Sequence, residues 1–204
     1  ALVMTMSLVT VSAGAKDFTD DSEITYKEAV DVISALGVVD GYSDGDFRPD
    51  DVLTRGAAAK IICNLILGPT TASALSAGTA PFKDVPVTNT FAGYITYCSQ
   101  QGIISGYADG TFRPTRAVTR EEFAQILYNY AKCKGYGLSA SADLGKFPDS
   151  GQVSSWAETA LGWANGNGLI NGHDDGRLDP KGSTIRAQAA SILMNFDKGF
   201  AQEG

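Results

Sequence analysis

Apolar residues recur at helical spacing in six stretches of the chain, and the stretches come in pairs. The first stretch holds Ala29, Val32, Ile33 and Leu36 and predicts a helix over residues 26–36. Its counterparts are Phe91, Tyr94, Ile95 and Cys98, then Ala157, Ala160, Leu161 and Ala164. Each is followed by a second, more apolar stripe: Ile61, Ile62, Leu65 and Ile66; Phe123, Ile126, Leu127 and Tyr130; Ala189, Ile192, Leu193 and Phe196. The second helices are expected to start near Arg55, Arg120 and Arg186 and to lie nearer the core. Thr25 with Glu28, Thr119 with Glu122 and Ser155 with Glu158 have capping-box spacing. Gly37, Gly102 and Gly168 suit helix C-terminal ends, where a left-handed residue is favoured. Alternating runs are missing, so no sheet is predicted. Residues 68–81 and 134–146 are rich in small residues and read as loops.

The pairing of stretches reflects an internal repeat. Asp44-Gly45-Asp46-Phe47-Arg48-Pro49 matches Asp109-Gly110-Thr111-Phe112-Arg113-Pro114 and Asp175-Gly176-Arg177-Leu178-Asp179-Pro180, at offsets of 65 and 66 residues. An arginine (Arg55, Arg120, Arg186) stands ten residues after the glycine of each. Upstream, Gly41-Tyr42, Gly106-Tyr107 and Gly172-His173 align, and each unit opens with Phe-x-Asp: Phe18 to Asp20, Phe82 to Asp84, Phe147 to Asp149. A single unit of this length can hardly bury its own stripes, so one domain of three co-packed units is expected, over residues 16–68, 80–134 and 145–199.

Composition narrows the function. Of 204 residues, 44% are hydrophobic and 19% charged, with 16 Lys and Arg against 23 Asp and Glu, a net charge of −7. An acidic chain without a basic face is a poor partner for nucleic acid. The uncharged run Ala1 to Val11, followed by Ala13-Gly14-Ala15, resembles the apolar core and cleavage site of a secretory signal, and residues 1–15 are set aside as its remnant. That run is shorter than the roughly 20 residues a bilayer requires, and no later segment is long enough to span one. Cys63, Cys98 and Cys133 lack metal-site spacing; an odd number excludes a fully paired framework, and they read as small apolar residues on helices.

Two features of the repeated loop invite chemistry. Setting Gly45 at the sixth position of a calcium loop leaves Tyr42 at position three, and the middle unit would carry Arg116 at position twelve. Calcium needs several carboxylates per loop, so no metal is expected; the Asp-Gly pair is a tight turn. The repeated arginine is different. It sits at a helix N-terminus, where free amides and the helix dipole favour an anion and where a guanidinium adds a fork for carboxylate or phosphate. The alternative is a structural ion pair with an acidic residue of a neighbouring unit.

These motifs resemble three tandem S-layer homology (SLH) repeats. The middle unit is nearest, with Gly102-Ile103-Ile104-Ser105-Gly106-Tyr107, Asp109-Gly110-Thr111-Phe112-Arg113-Pro114 and Val118-Thr119-Arg120-Glu121-Glu122-Phe123, and the resemblance covers residues 17–199. It implies an all-α fold, a pseudo-threefold bundle of three helix-loop-helix repeats. It also implies grooves between repeats that bind an acidic, commonly pyruvylated, secondary cell-wall polysaccharide, and a secreted protein anchored at the cell surface. Residue by residue, the family's anion-reading arginine falls on Arg55, Arg120 and Arg186. The candidate ligand-binding set is completed by Thr54, Thr119, Asp109, Gly110 and Tyr107, with no cofactor. Departures make the grooves unequal: Gly56 and Ala57 replace the acidic cap in unit one, while Ile185, His173 and Leu178 replace Thr, Tyr and Phe in unit three. The Arg120 groove is therefore the expected working site. A protein–protein module of a surface array and a glycan-active enzyme are the rival functions; no nucleophile–base pair is evident and a lone histidine leaves little acid–base apparatus, so catalysis is not expected.

Overall fold

The computed structural model describes residues 16–200; the signal-like segment expected at 1–15 lies outside them. Among the described residues seven α-helices follow one another: α1 Lys27–Ala35, α2 Arg55–Leu67, α3 Pro69–Ser73, α4 Ala92–Gln100, α5 Arg120–Lys134, α6 Glu158–Gly166 and α7 Arg186–Phe200. Among the described residues β-pairing is confined to isolated bridges, so the fold is all-α. Second helices begin at the three repeated arginines, as the sequence predicts. Gly37, Gly102 and Gly168 all take φ +68°, just past the helix ends.

Helices pair across repeats, not within them. The chain resolves into two compact units. In the first, which joins residues up to Val52 to those from Ile185 onward, α1 packs on α7. In the second, Leu53–Thr184, α2 packs on α4 and α5 on α6. Each second helix thus covers the first helix of the following repeat, with α7 covering that of repeat one. The face used by α5 and α7 is the predicted stripe, every member of which is buried. On α1 the stripe is rotated: Ala29, Val30 and Ile33 are buried, whereas Val32 and Leu36 are half-exposed.

Local signals were overridden in two places. Neither Thr25 nor Ser155 caps its helix; Tyr26 and Ala157 occupy the caps, without a side-chain hydrogen bond. Ser154 is drawn elsewhere, since its amide and hydroxyl both donate to the Glu121 carboxylate at 2.9 Å. The first connector is also not all loop. Pro69 at the first position starts the short α3, which buries Ala72 and packs on α2. A one-turn 3-10 helix, Leu144–Lys146, likewise interrupts the second connector.

Candidate functional site

Each repeat's loop is built on its Phe-x-Asp signature. In the middle repeat the Asp84 carboxylate accepts the amides of Phe112 at 2.8 Å and Arg113 at 2.7 Å. Asp20 receives Phe47 and Arg48 in the same way, and Asp149 receives Leu178 and Asp179. The second residue of each pair has positive φ (Arg48 56°, Arg113 58°, Asp179 52°), a conformation that costs a non-glycine residue free energy. The carboxylate holds it there by taking both amides at once. Burial alone would raise the Asp84 carboxyl, but the two amide donors outweigh it and the pKa falls below the ordinary 3.8. A lowered folded-state pKa gives stability that is present above the unfolded value and is lost as pH falls through the folded one. Asp84→Ala is expected to cost about 2–4 kcal/mol at neutral pH, the scale of two charge-assisted bonds. Thermal melts should show the gap between variant and parent narrowing as the pH falls below the ordinary 3.8 and through the lowered folded-state pKa of Asp84.

Asp109 and Gly110 belong to the loop's own architecture. Asp109 Oδ1 accepts the hydroxyl of Thr111 at 2.6 Å and its amide at 2.9 Å, and Oδ2 pairs with Arg113 Nη2 at 3.0 Å. Those donors, the Thr111 hydroxyl first, hold the carboxyl down at about 2. Gly110 has φ +82°, as this turn requires.

The side chain of each repeated arginine is held by backbone carbonyls. Arg55 is 6% exposed; its Nε donates to Phe112 O and its Nη2 to Ser105 O, both at 2.8 Å. Arg120 reaches Leu178 O at 2.9 Å and Asn171 O at 2.5 Å. Arg186 reaches Phe47 O at 2.9 Å and Asp40 O at 2.7 Å. Each guanidinium therefore clamps two carbonyls of the following repeat's loop, with repeat three clamping repeat one. Burial lowers the pKa of Arg55 and Arg186, yet from an arginine's starting value both stay charged.

The helix-end amides are spent as well. At α2 the Arg55 amide donates to Arg116 O and the Gly56 amide to Pro114 O, while the Ala57 amide donates to the Thr54 hydroxyl. At α5 the amides of Arg120 and Glu121 donate to Gly182 O and Pro180 O, and the Thr119–Glu122 capping box forms as predicted. Arg186 and Ala187 donate to Asp51 O and Pro49 O. The free helix-end amides expected to help hold an anion are thus already satisfied by backbone of the adjoining loop.

This pairing regroups the predicted site residues. Tyr107, Asp109 and Gly110 stand with Arg55, not with Arg120. The Arg55 guanidinium carbon lies 4.8 Å from the Tyr107 ring centre, Arg113 lies at 4.2 Å and Arg116 at 5.9 Å. Arg116 Nη1 donates to the Tyr107 hydroxyl at 2.9 Å and pairs with Glu122 at 2.6 Å. Among the described residues Nη1 of Arg55 makes no hydrogen bond. Around Arg186 the loop differs: Tyr42 and Arg48 are in place, but Asp51 occupies the position of Arg116 and, with Asp40, bears on the guanidinium. Around Arg120, His173, Leu178 and Gly182 occupy the positions of Tyr107, Phe112 and Arg116. Arg113 and Arg116 were not among the residues singled out from sequence; the signal available was that Arg116 aligns with Asp51 and Gly182. Groups of three or more His, Cys, Asp or Glu residues able to hold a metal ion are absent among the described residues.

Comparison with known proteins agrees with the threefold repeat. The S-layer homology domain pattern matches residues 17–59, 81–124 and 146–190. The chain belongs to the S-layer homology family. Among its SLH-bearing relatives, Cell surface glycoprotein 1 of Acetivibrio thermocellus is 32% identical over 182 residues, covering 84% of this chain and 8% of the relative. The Cellulosome-anchoring protein of the same organism is 30% identical over 161 residues, covering 75% and 34%. The Surface-layer 125 kDa protein of Lysinibacillus sphaericus is 31% identical over 198 residues, covering 95% and 16%. The chain thus spans about a third or less of each of these SLH relatives. Its family is one of cell-surface and cell-wall proteins. No helix among the described residues is long and apolar enough to cross a membrane.

Proposed function

We propose that this SLH chain anchors a surface protein to the cell wall by binding an acidic, pyruvylated secondary cell-wall polysaccharide, and that the principal site is the Arg55 groove. Family membership and the surface-anchoring relatives support the coarse role. The observation that carries the finer one is the gathering of Arg55, Arg113 and Arg116 around Tyr107. Three guanidinium groups within about 6 Å of one ring outnumber the two carboxylates, Asp109 and Glu122, that pair with Arg113 and Arg116, which leaves a net positive charge there on an acidic chain, and guanidinium is the side chain best shaped for a carboxylate. Thr54 caps α2 beside it. Arg186 is faced by Asp40 and Asp51, and Arg120 lacks the tyrosine and the second arginine, so both are weaker sites for an anion.

The test is co-sedimentation of the full chain with purified wall sacculi, before and after extraction of the polysaccharide. Binding is expected to vanish on extraction, to weaken when the pyruvate ketals are removed and to weaken with added salt. Arg116→Ala is the useful variant, because Arg116 is exposed and leaves the carbonyl clamp intact. It should lower affinity about tenfold, the scale of one charge-assisted bond, with little change in Tm. Equal binding to native and de-pyruvylated glycan would remove the carboxylate from the proposal, and undiminished binding to extracted sacculi would put the ligand on the remaining peptidoglycan and overturn it.

A further inference from the structure

The α2–α4 contact holds a feature that anchoring does not use. Cys63 on α2 and Cys98 on α4 are both fully buried, with their sulfur atoms 3.6 Å apart. Each sulfur also lies against the opposite helix, Cys98 Sγ 3.5 Å from Ala59 O and Cys63 Sγ 3.6 Å from Tyr94 O. The repeat supplies an internal control. The equivalent positions are Tyr128 and Ala164 where α5 meets α6, and Met194 and Ile33 where α7 meets α1. Those are ordinary packing residues. Only where α2 meets α4 is a cysteine found, and there both partners are cysteine.

We propose that Cys63 and Cys98 form an intramolecular disulfide that ties α2 to α4. A sulfur–sulfur bond is about 2.05 Å long, so the side chains need to approach by less than about 2 Å. Cell-surface proteins meet an oxidising environment, where such a bond persists. The oxidant is a small-molecule or protein disulfide. One cysteine gives up its proton and its thiolate attacks the external disulfide, releasing one thiol and leaving a mixed disulfide. The second cysteine, deprotonated in turn, displaces the other external thiol and closes the bond. Two cysteine thiols are oxidised and one external disulfide is reduced to two thiols. The hydrogen bond with Cys63 and burial push the Cys98 thiol well above its ordinary range, so the closed interface holds little thiolate. Because both sulfur atoms are fully buried once α2 and α4 pack, an external disulfide reaches them while the helices are still apart, and the packed interface shields the bond from reductant.

The experiment is to unfold the full chain in reductant and refold it in a mixture of reduced and oxidised glutathione. Intact mass and alkylation in denaturant then count the thiols. The expected product is lighter by two hydrogen atoms, retains only the exposed Cys133 for alkylation, and melts roughly 5–15 °C above the chain refolded with reductant alone. In Cys133→Ser no alkylatable thiol should remain. Three thiols still open to alkylation, a disulfide that includes Cys133, or a Cys63–Cys98 bond that fails to raise the Tm would each overturn the proposal.

Discussion

An isolated first repeat, residues 17–68, is expected to remain unfolded, while residues 53–184 fold without the rest of the chain. The fragment 17–68 carries α1 and α2 but neither partner, since α1 packs on α7 and α2 on α4. Ala29, Val30 and Ile33 would face water, and so would Ala59, Ile62 and Cys63, all buried in the whole protein. The loop would also lose Arg186, which clamps Phe47 O and Asp40 O. A chain of this size is marginal even with its core intact. Residues 53–184 keep both of their helix pairs and both of their clamps, Arg55 on Ser105 and Phe112 and Arg120 on Asn171 and Leu178. Far-ultraviolet circular dichroism and amide dispersion in NMR should read as disordered for the first fragment and helical and dispersed for the second. A well-dispersed spectrum from 17–68 would mean that the repeat, not the cross-repeat pair, is the unit of folding.

Arg55→Ala should damage stability as much as binding. Truncation removes two charge-assisted hydrogen bonds and strands Phe112 O and Ser105 O, the former against a buried ring. The cost is expected at roughly 3–5 kcal/mol, a Tm lower by about 6–20 °C. Lysine keeps the charge but cannot donate from two nitrogens in one plane, so Arg55→Lys should recover only part of the loss. Arg120→Ala should behave similarly in the melt, because its two carbonyl contacts are the same in kind. Glycan affinity separates the two positions. Measured well below each Tm and per folded molecule, Arg55→Ala should bind about tenfold to a hundredfold more weakly, and Arg120→Ala much less so. Equal losses at both positions would count against the Arg55 groove as the principal site, and no loss at either would leave the arginines purely structural.

The sequence by itself determined the local grammar. Stripes at helical spacing, arginines at the starts of second helices and glycines after the first helices fixed six helices of the repeat, because these signals act through neighbours a few residues apart. The Thr119–Glu122 cap was legible for the same reason, both partners lying within one turn. The Thr25 and Ser155 caps had the same spacing and did not form; at Ser155's helix a long-range acceptor, Glu121, took the neighbouring Ser154 instead. What the sequence left undecided was which repeat answers which. The repeat offset aligns Arg55 with Arg120 and Tyr42 with Tyr107, but it does not say that Arg55 meets Tyr107. That choice follows from packing: α2 buries its apolar face on α4, and this carries the start of α2 onto the loop of repeat two. The same docking fills the helix-end amides with loop carbonyls, so a position that looks like an anion site in one dimension becomes a backbone joint in three. Arg113 and Arg116 then stand beside Arg55 around Tyr107, a neighbourhood that only the tertiary structure creates.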